Sequence, residues 1–398
     1  MGRCGQDKRH TFQRVSGRAE AVSPFLAMEV LERAGELERA GQEIIHLEIG
    51  EPDFPTPQIV LEAGIQALKE GHTHYTHSLG HPELREAISD WFGRQYGVEV
   101  DSERIIVTVG SSGAMLLVLG ALLDPGMKVL MTDPHYACYP KFVSVFDGIP
   151  VPLAVSEEED FQLSPQVVKE KLDSNARVLI LNSPANPTGT VISAERMQEL
   201  VEVAAGRVVI VSDEVYHGLV YEGKANTMLE FCEDAVVIGS FSKLFAMTGW
   251  RLGYAVVPEF LMRSVQKLQQ NLFISAPDFA QFAAVVALKK TGEEIEWRRE
   301  RYDERRRLVL QRLEEMGLKV KAEPRGAFYV FVNIAQYAAS SLDFAFQLLE
   351  EAKVAITPGI DFGVHGEGFI RISYANSMAN IEKGMKRLRA FLETTSQG

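Results

Sequence analysis

The sequence predicts an α/β fold with a mostly parallel central sheet covered by helices on both faces. The middle of the chain alternates apolar runs rich in Val and Ile with amphipathic stretches of helical length. Strands without polar alternation are typical of a parallel sheet buried on both faces. The predicted strands are Arg104–Val109, Lys128–Met131, Val178–Leu181, Val208–Val211, Val236–Ile238 and Leu252–Val257.

A smaller α+β domain is predicted from the two chain ends. A charged helical stretch, 293–316, resembles a long connecting helix and carries Val309, Leu310 and Leu313 on one side. Short strands (328–334, 369–374) and helices (342–352, 376–392) follow, and an N-terminal helix around 24–40 is expected to pack with them. We expect a large domain over residues 51–288 and a small domain over 14–50 and 289–398. Residues 1–13 are expected to be disordered or foreign to the natural chain.

Composition excludes several classes of protein. The 398 residues carry a net charge of −13, which argues against nucleic-acid binding because phosphate contacts need clustered Lys and Arg. Cys4, Cys138 and Cys232 lie far apart, so neither a disulfide scaffold nor a metal site is expected. The apolar runs are too short for a membrane span, and no secretory signal is visible. We therefore expect a cytoplasmic enzyme.

The segment Gly110-Ser111-Ser112-Gly113 follows a predicted strand and opens a helix. Exposed amides at a helix N-terminus attract a phosphate. Glycines at such a crossover also serve tight turns with no ligand, so this segment alone is a weak indication.

Two polar segments follow predicted strands farther along the chain. NSPANPTGT, 182–190, forms a rigid turn that is either purely structural or aims the Asn186 amide at a ligand. Asp213 comes shortly after an apolar run, with Tyr216 three positions later. A carboxylate there is a helix cap, is exposed on the surface, or faces a cationic partner, since unpaired burial is costly.

Lys243 stands in the apolar context SFSKLF, three residues after Ser240 and eight before Arg251. An apolar environment lowers the pKa of a lysine, and a neutral amine can form a Schiff base. Ser and Arg suit a phosphate. The alternative is a lysine that reaches solvent beside a surface arginine.

Arg371 lies in the alternating strand segment FIRIS. It either guards a sheet edge against aggregation or forms a bidentate clamp on a carboxylate.

Taken in order, these segments resemble the class I aminotransferases of fold type I, the aspartate aminotransferase family. The resemblance runs from about residue 24 to the C-terminus and includes GEPDFPTP (50–57) and YTHSLGHPELREAI (75–88). The ordered set NPTG, SDEVY, SxSK with an arginine eight residues later, and RISYA is highly specific.

The resemblance implies a pyridoxal 5'-phosphate enzyme that moves an amino group from an amino acid to a 2-oxo acid in a ping-pong cycle. Lys243 would bond the cofactor's aldehyde, and Asp213 would pair with its pyridine nitrogen. The other implied cofactor contacts are Asn186 and Tyr216 at the phenolic oxygen, Tyr136 stacked on the ring, and Ser111, Ser112, Gly113, Ser240 and Arg251 around the phosphate.

The resemblance also implies how substrate and a second subunit take part. Arg371 would grip the substrate α-carboxylate, with the Gly50 backbone and Asn186 beside it. Tyr75 matches a tyrosine that reaches the phosphate in the neighbouring subunit, which implies a homodimer with shared active sites.

One departure affects specificity. Some bacterial aspartate enzymes of this subgroup use a lysine in the phosphate loop to reach the distal carboxylate, and that position here is Ser112. The segment SPFLAM, 23–28, borders the substrate side chain and is apolar. Aspartate, alanine and aromatic donors therefore all stay open.

Other functions on this scaffold remain alternatives. A β-lyase, a decarboxylase-like enzyme or a cyclopropane-forming synthase would keep Lys243, Asp213 and Arg371. A ligand-sensing regulator would need a DNA-binding module, and only about twenty residues precede the resemblance, in an acidic chain.

Overall fold

The computed structural model describes residues 15–395. The expectation for residues 1–13 lies outside this range, as does Cys4. No helix in the described range is long and apolar enough to cross a membrane.

Residues 15–395 contain twelve strands and thirteen α-helices, together with short 3-10 and π-helical turns. The strands are β1 (Ile45–His46), β2 (Ile105–Thr108), β3 (Lys128–Asp133), β4 (Ile149–Ala154), β5 (Ala176–Asn182), β6 (Val209–Asp213), β7 (Val236–Ser240), β8 (Gly253–Val256), β9 (Tyr329–Asn333), β10 (Val354–Ala355), β11 (Thr357–Pro358) and β12 (Phe369–Ser373). The helices are α1 (Gly17–Ala21), α2 (Leu26–Arg39), α3 (Gln58–Lys69), α4 (Pro82–Tyr96), α5 (Gly110–Leu122), α6 (Tyr139–Val145), α7 (Pro165–Lys171), α8 (Ala194–Ala204), α9 (Glu259–Leu272), α10 (Asp278–Lys290), α11 (Gly292–Glu315), α12 (Ser341–Gln347) and α13 (Met378–Thr395).

The central sheet has seven strands in the order β2-β8-β7-β6-β5-β3-β4. Strand β8 runs antiparallel to its neighbours β2 and β7, and the remaining pairs are parallel. The predicted mostly parallel sheet is confirmed. Because β2, β3, β5, β6 and β7 point the same way, their carboxyl ends meet at one edge, where α/β enzymes bind ligands.

Strand β5 shows why the predicted strands lack polar alternation. Val178 and Ile180 pack into the core on one face of the sheet, while Leu179 and Leu181 pack into the core on the other. All four side chains are buried. A sheet covered by helices on both faces needs apolar residues at successive positions, and the sequence supplies them.

Strand β4 was not predicted. It contains Pro150 and Pro152, and proline cannot donate a ladder hydrogen bond. The structure places β4 at the edge of the sheet, beside β3 alone. Proline is tolerated in that position, so the fold accommodates a strand that its composition argues against.

One of the two smaller sheets joins the two ends of the chain, and the other comes from the C-terminal part alone. Strand β1 pairs in parallel with β10, and β12 lies between β11 and β9 in an antiparallel sheet. The helix predicted over 342–352 is α12 followed by a π-helical turn over Leu348–Ala352. These pairings support the proposed small domain over 14–50 and 289–398.

Helix α2 is fixed at its start by a carboxylate from the other end of the chain. Asp361 accepts hydrogen bonds from the amides of Leu26 at 3.0 Å and Ala27 at 3.1 Å. A carboxylate at a helix N-terminus satisfies free amides and complements the helix dipole. This contact holds Phe25 and Met28 at the edge of the site described next.

Candidate active site

The carboxyl edge of the central sheet opens into a cavity of about 390 Å³. This volume lies within the range of small-molecule sites. The lining residues with charged or hydrogen-bonding side chains are Glu48, Glu51, Ser111, Ser112, Tyr136, Tyr139, Asn182, Asn186, Asp213, Tyr216, Ser242, Lys243, Thr248, Arg251, Tyr329 and Arg371. The backbone of Gly50 also lines the cavity. The structure thus brings most of the sequence-predicted site residues together.

Three of the residues with an implied role lie outside the lining of this cavity: Gly113, Ser240 and Tyr75. The Ser240 hydroxyl accepts a hydrogen bond from the Ser242 amide at 3.0 Å. Tyr75 is 80% exposed. Tyr75 therefore does not contact the cavity of its own chain.

One end of the cavity is built for an anion. Helix α5 begins at Gly110, and the next residues, Ser111 and Ser112, line the cavity. Gly110 has φ +70°, and a Cβ there would lie 2.7 Å from Arg251 Nη2, so the guanidinium packs against the first turn of the helix. Free amides, the helix dipole and an arginine charge together favour a bound phosphate or carboxylate.

Asp213 lies at the end of β6 and is 7% exposed, which excludes the surface interpretation. Its Oδ2 accepts a 2.6 Å hydrogen bond from the Tyr139 hydroxyl, and its Oδ1 accepts a 3.3 Å bond from the Val215 amide. Burial raises the pKa of the Asp213 carboxyl to about 6, against the lowering effect of these neutral donors. The carboxylate is therefore suited to a cationic partner from a ligand.

Lys243 extends into the cavity with its Nζ 2.6 Å from the Gly50 carbonyl oxygen, to which it donates. Burial lowers the pKa of Lys243 to about 8, and the nearby charges of Arg371 and Arg251 act in the same direction. Phe241 and Met247 are fully buried around it. A lysine that gives up its proton near neutral pH is a candidate nucleophile and general base.

Arg371 is buried, and β12 is the central strand of its sheet, so the edge-guard interpretation is wrong. Its Nη1 donates to Asn186 Oδ1 at 2.9 Å, and its Nη2 donates to the Glu48 carbonyl at 2.5 Å and Thr357 Oγ1 at 3.0 Å. Its buried Nε has no hydrogen-bond partner among the described residues. An unsatisfied guanidinium N–H beside a cavity is costly unless a ligand accepts from it.

Asn186 and Tyr216 border the same space. The backbone N–H of Asn186 donates to Asn182 Oδ1 at 2.8 Å, and this hydrogen bond fixes the turn after β5. The Tyr216 hydroxyl lies 2.8 Å from the Tyr329 hydroxyl, and burial raises the pKa of Tyr216 well above its usual value. Tyr216 is therefore a neutral hydroxyl at pH 7.

Sequence reasoning missed Tyr139, Tyr329 and the apolar wall formed by Leu31, Met115 and Phe142. Tyr139 follows Tyr136 by three residues, and a helical spacing of this kind could have indicated that both tyrosines face the site. No spacing rule identified Tyr329, because its partners Tyr216 and Arg371 are distant in sequence.

Comparison with known proteins is consistent with this geometry. The family model described as aminotransferase class I and II matches residues 42–388. The fold and site therefore define an aminotransferase, as the motifs implied. The chain belongs to the class I and II aminotransferase family, and it is an enzyme that transfers an amino group.

Individual relatives differ in the substrate that their names give. The chain is 44% identical to the (5-formylfuran-3-yl)methyl phosphate transaminase of Methanocaldococcus jannaschii, over 92% of this chain and 96% of that one. It is 38% identical to an aspartate aminotransferase of Pyrococcus horikoshii, over 98% and 99% of the two chains. The structure of the Thermus thermophilus aspartate aminotransferase with maleate superposes with a TM-score of 0.91 at 36% identity, covering 95% of this chain and 99% of that chain.

The buried Asp213 predicts a stability effect with a defined pH dependence. The pKa of Asp213 is higher in the folded protein than in the unfolded chain. Ionisation of Asp213 therefore lowers the stability of the fold as the pH rises from about 4 to 6, and the full loss of stability is present above pH 6. Asp213→Asn should therefore stabilise the ligand-free protein at pH 8 by about 1–3 kcal/mol.

Denaturant unfolding of the ligand-free wild type and variant at pH 8 and pH 4.5 measures this effect. The advantage of the variant should shrink at the lower pH. A wild type that is more stable than Asp213→Asn at pH 8 would contradict a destabilising buried charge.

Proposed function

We propose that the cavity holds pyridoxal 5'-phosphate for the transamination of amino acids and 2-oxo acids. Lys243 would hold the cofactor covalently in the resting enzyme, and the amine of the substrate would release Lys243 before the proton transfer. The observation that carries the proposal is the single cavity shared by a lysine with a lowered pKa, a buried carboxylate and an anion-binding helix start. These groups match the cofactor's aldehyde, pyridine nitrogen and phosphate. Gly110 adds support, since a side chain there would displace Arg251.

Each part of the cofactor would then have contacts in or beside the cavity. The α5 amides near Ser111 and Ser112, with Arg251, hold the phosphate, and we retain Gly113 and Ser240 as proposed supports of that loop. Asn186 and Tyr216 hydrogen-bond the phenolic oxygen. Tyr136 stacks on the ring, since it lines the cavity and its ring lies 5.4 Å from that of Tyr139, the donor to Asp213.

The cofactor, when bound, supplies an electron sink for the charge left when the substrate Cα–H bond breaks. Asp213 keeps its partner nitrogen protonated, because an adjacent carboxylate favours the cationic form. Lys243 Nζ removes the proton from Cα, and its lowered pKa increases the fraction of neutral amine available at neutral pH.

Arg371 binds the α-carboxylate that every amino acid and 2-oxo acid carries. The supporting observations are its burial, its Nε without a hydrogen-bond partner in the described part of the chain, and its guanidinium 4.4 Å from the centroid of the Tyr329 ring. A planar guanidinium offers two parallel hydrogen bonds to a carboxylate, and lysine cannot reproduce them.

Lys243→Ala should leave the fold intact and abolish transamination. Borohydride reduction of the cofactor-loaded wild type, followed by peptide mapping, should place the label on Lys243. Circular dichroism and thermal melting of the variant provide the folding control. A label on any other lysine would refute the assignment.

The substrate side chain meets an apolar wall. Phe25, Met28, Leu31, Met115 and Phe142 line the cavity, and Ser112 stands at the position of the lysine used by some aspartate enzymes. A distal carboxylate buried there without a cation would be unfavourable. We therefore propose a donor range in which aspartate does not dominate over alanine or aromatic amino acids.

This range is tested by kcat/KM for aspartate, alanine and phenylalanine with 2-oxoglutarate or pyruvate as acceptor. Aspartate should exceed the other donors by much less than about a thousandfold, because the apolar wall of Phe25, Met28, Leu31, Met115 and Phe142 carries no cation. Arg371→Lys should lower all three values by a similar factor. An aspartate preference above about a thousandfold would require an additional cation.

We also propose a homodimer with shared active sites. Tyr75 is 80% exposed, and the nearby Thr76 amide bonds to Ser275 in a segment that also exposes Leu272 and Ile274. Exposed apolar residues of this kind are typical of an interface between subunits. Tyr75 would then reach the phosphate bound by the partner.

Mixing Lys243→Ala with Tyr75→Phe subunits tests the shared site. Each mixed dimer should hold one site with both defects and one with neither, so activity should rise above that of both parents. Co-purification of differently tagged subunits controls for exchange. Mixed dimers that form without any gain would show that Tyr75 does not cross the interface.

The compartment is proposed on chemical grounds. Cys138 and Cys232 are free thiols, and burial raises the pKa of both. These two thiols, each free among the described residues, suit a reducing environment. We therefore propose a cytoplasmic enzyme.

A further inference from the structure

We propose that Tyr329 is a positioning residue that sets the direction of the Tyr216 hydroxyl and, with the same ring, supports Arg371. The inference rests on the proposed function, since it concerns the hydrogen bond that Tyr216 makes to the phenolic oxygen of the cofactor. Tyr329 would thus connect Tyr216, which contacts the cofactor, with Arg371, which binds the substrate carboxylate.

Tyr329 is held in one place by its surroundings. It lies at the start of β9, is 1% exposed, and stacks edge to face with Phe328 and Tyr216. A Cβ at Gly50 would lie 2.1 Å from the Tyr329 hydroxyl oxygen, so the backbone at Gly50 passes directly over that hydroxyl. The same residue supplies the carbonyl that accepts from Lys243.

The hydroxyl of Tyr329 forms a hydrogen bond with the hydroxyl of Tyr216 at 2.8 Å. Burial raises the pKa of both phenols, so each carries one proton to donate. If Tyr216 donated to Tyr329, it would turn a lone pair towards the negatively charged phenolic oxygen of the cofactor. The favourable chain therefore runs from Tyr329 to Tyr216 to that oxygen.

Two further effects favour this direction. A hydroxyl that accepts one hydrogen bond becomes a better donor in the next, so the chain strengthens its last bond. The Arg371 guanidinium lies over the Tyr329 ring, 4.4 Å from its centroid, and its charge opposes the rise in the Tyr329 pKa that burial causes. A phenol beside a cation is a stronger donor.

The ring and the hydroxyl of Tyr329 can be separated experimentally. Tyr329→Phe keeps the surface on which Arg371 stacks and removes only the oxygen. Tyr329→Leu removes the ring as well. The first change should act on the cofactor and leave carboxylate binding nearly unchanged, while the second should also weaken carboxylate binding.

The test is a pH titration of visible absorbance in the cofactor-loaded enzyme. A weaker hydrogen bond from Tyr216 would stabilise the negative charge on the phenolic oxygen of the cofactor less. The cofactor would then keep its proton up to a higher pH, and the midpoint of the absorbance change should move to higher pH. We expect a shift of about 0.3–1 pH unit for Tyr329→Phe and a larger one for Tyr216→Phe. In the Tyr216→Phe background, Tyr329→Phe should add nothing.

Tyr302→Phe is the matched control. Tyr302 is 1% exposed, and its hydroxyl has no hydrogen-bond partner among the described residues, so its loss should leave the midpoint unchanged. In steady-state assays, Tyr329→Phe should leave the donor KM within about twofold, and Tyr329→Leu should raise it about tenfold or more for every donor.

Three results would overturn the inference. The first is a midpoint that Tyr216→Phe shifts and Tyr329→Phe does not. The second is a shift by Tyr329→Phe that is just as large in the Tyr216→Phe background. The third is an unchanged donor KM in a folded Tyr329→Leu. A wild type that takes up no cofactor on Lys243 would instead refute the proposed function, and the borohydride label distinguishes these failures.

Discussion

The charge of Asp213 is the constraint on which the rest of the site depends. The fold buries this carboxylate at the end of β6 and surrounds it with neutral donors, Tyr139 and the Val215 amide. Burial raises its pKa to about 6 despite the opposing charge of Lys243, so ionisation is costly. A ligand that brings a positive charge to the carboxylate would offset this cost, which is the basis for our proposal of a protonated ring nitrogen beside Asp213.

The geometry that brings the other groups to Asp213 follows from strand direction. Asn182 and Asp213 are register partners at the ends of β5 and β6, and α5 starts beyond the end of the parallel-running β2. Arg251 precedes β8, which runs the opposite way and therefore begins at the same edge. Polar residues that are far apart in sequence meet because the carboxyl ends of parallel strands share one edge.

Much of this could be predicted from the sequence, because the motifs occur in a recognisable order and most of them follow an apolar strand. Asn186, Asp213, Lys243 and Arg371 were named on that basis, and all four line the cavity. What escaped prediction depends on tertiary packing. The central position of β12 decides the environment of Arg371, and no local pattern reports which neighbours a strand acquires. The Tyr216–Tyr329 contact joins residues 113 positions apart.

The most direct test of the account is the protonation state of the bound cofactor's pyridine nitrogen. We expect the ¹⁵N chemical shift of ring-labelled cofactor to report a protonated nitrogen between pH 6 and 8 in the wild type. In Asp213→Asn, with the label still on Lys243, it should report an unprotonated nitrogen. An unprotonated nitrogen in the wild type, or the same shift in both proteins, would contradict the claim that Asp213 holds the cationic form.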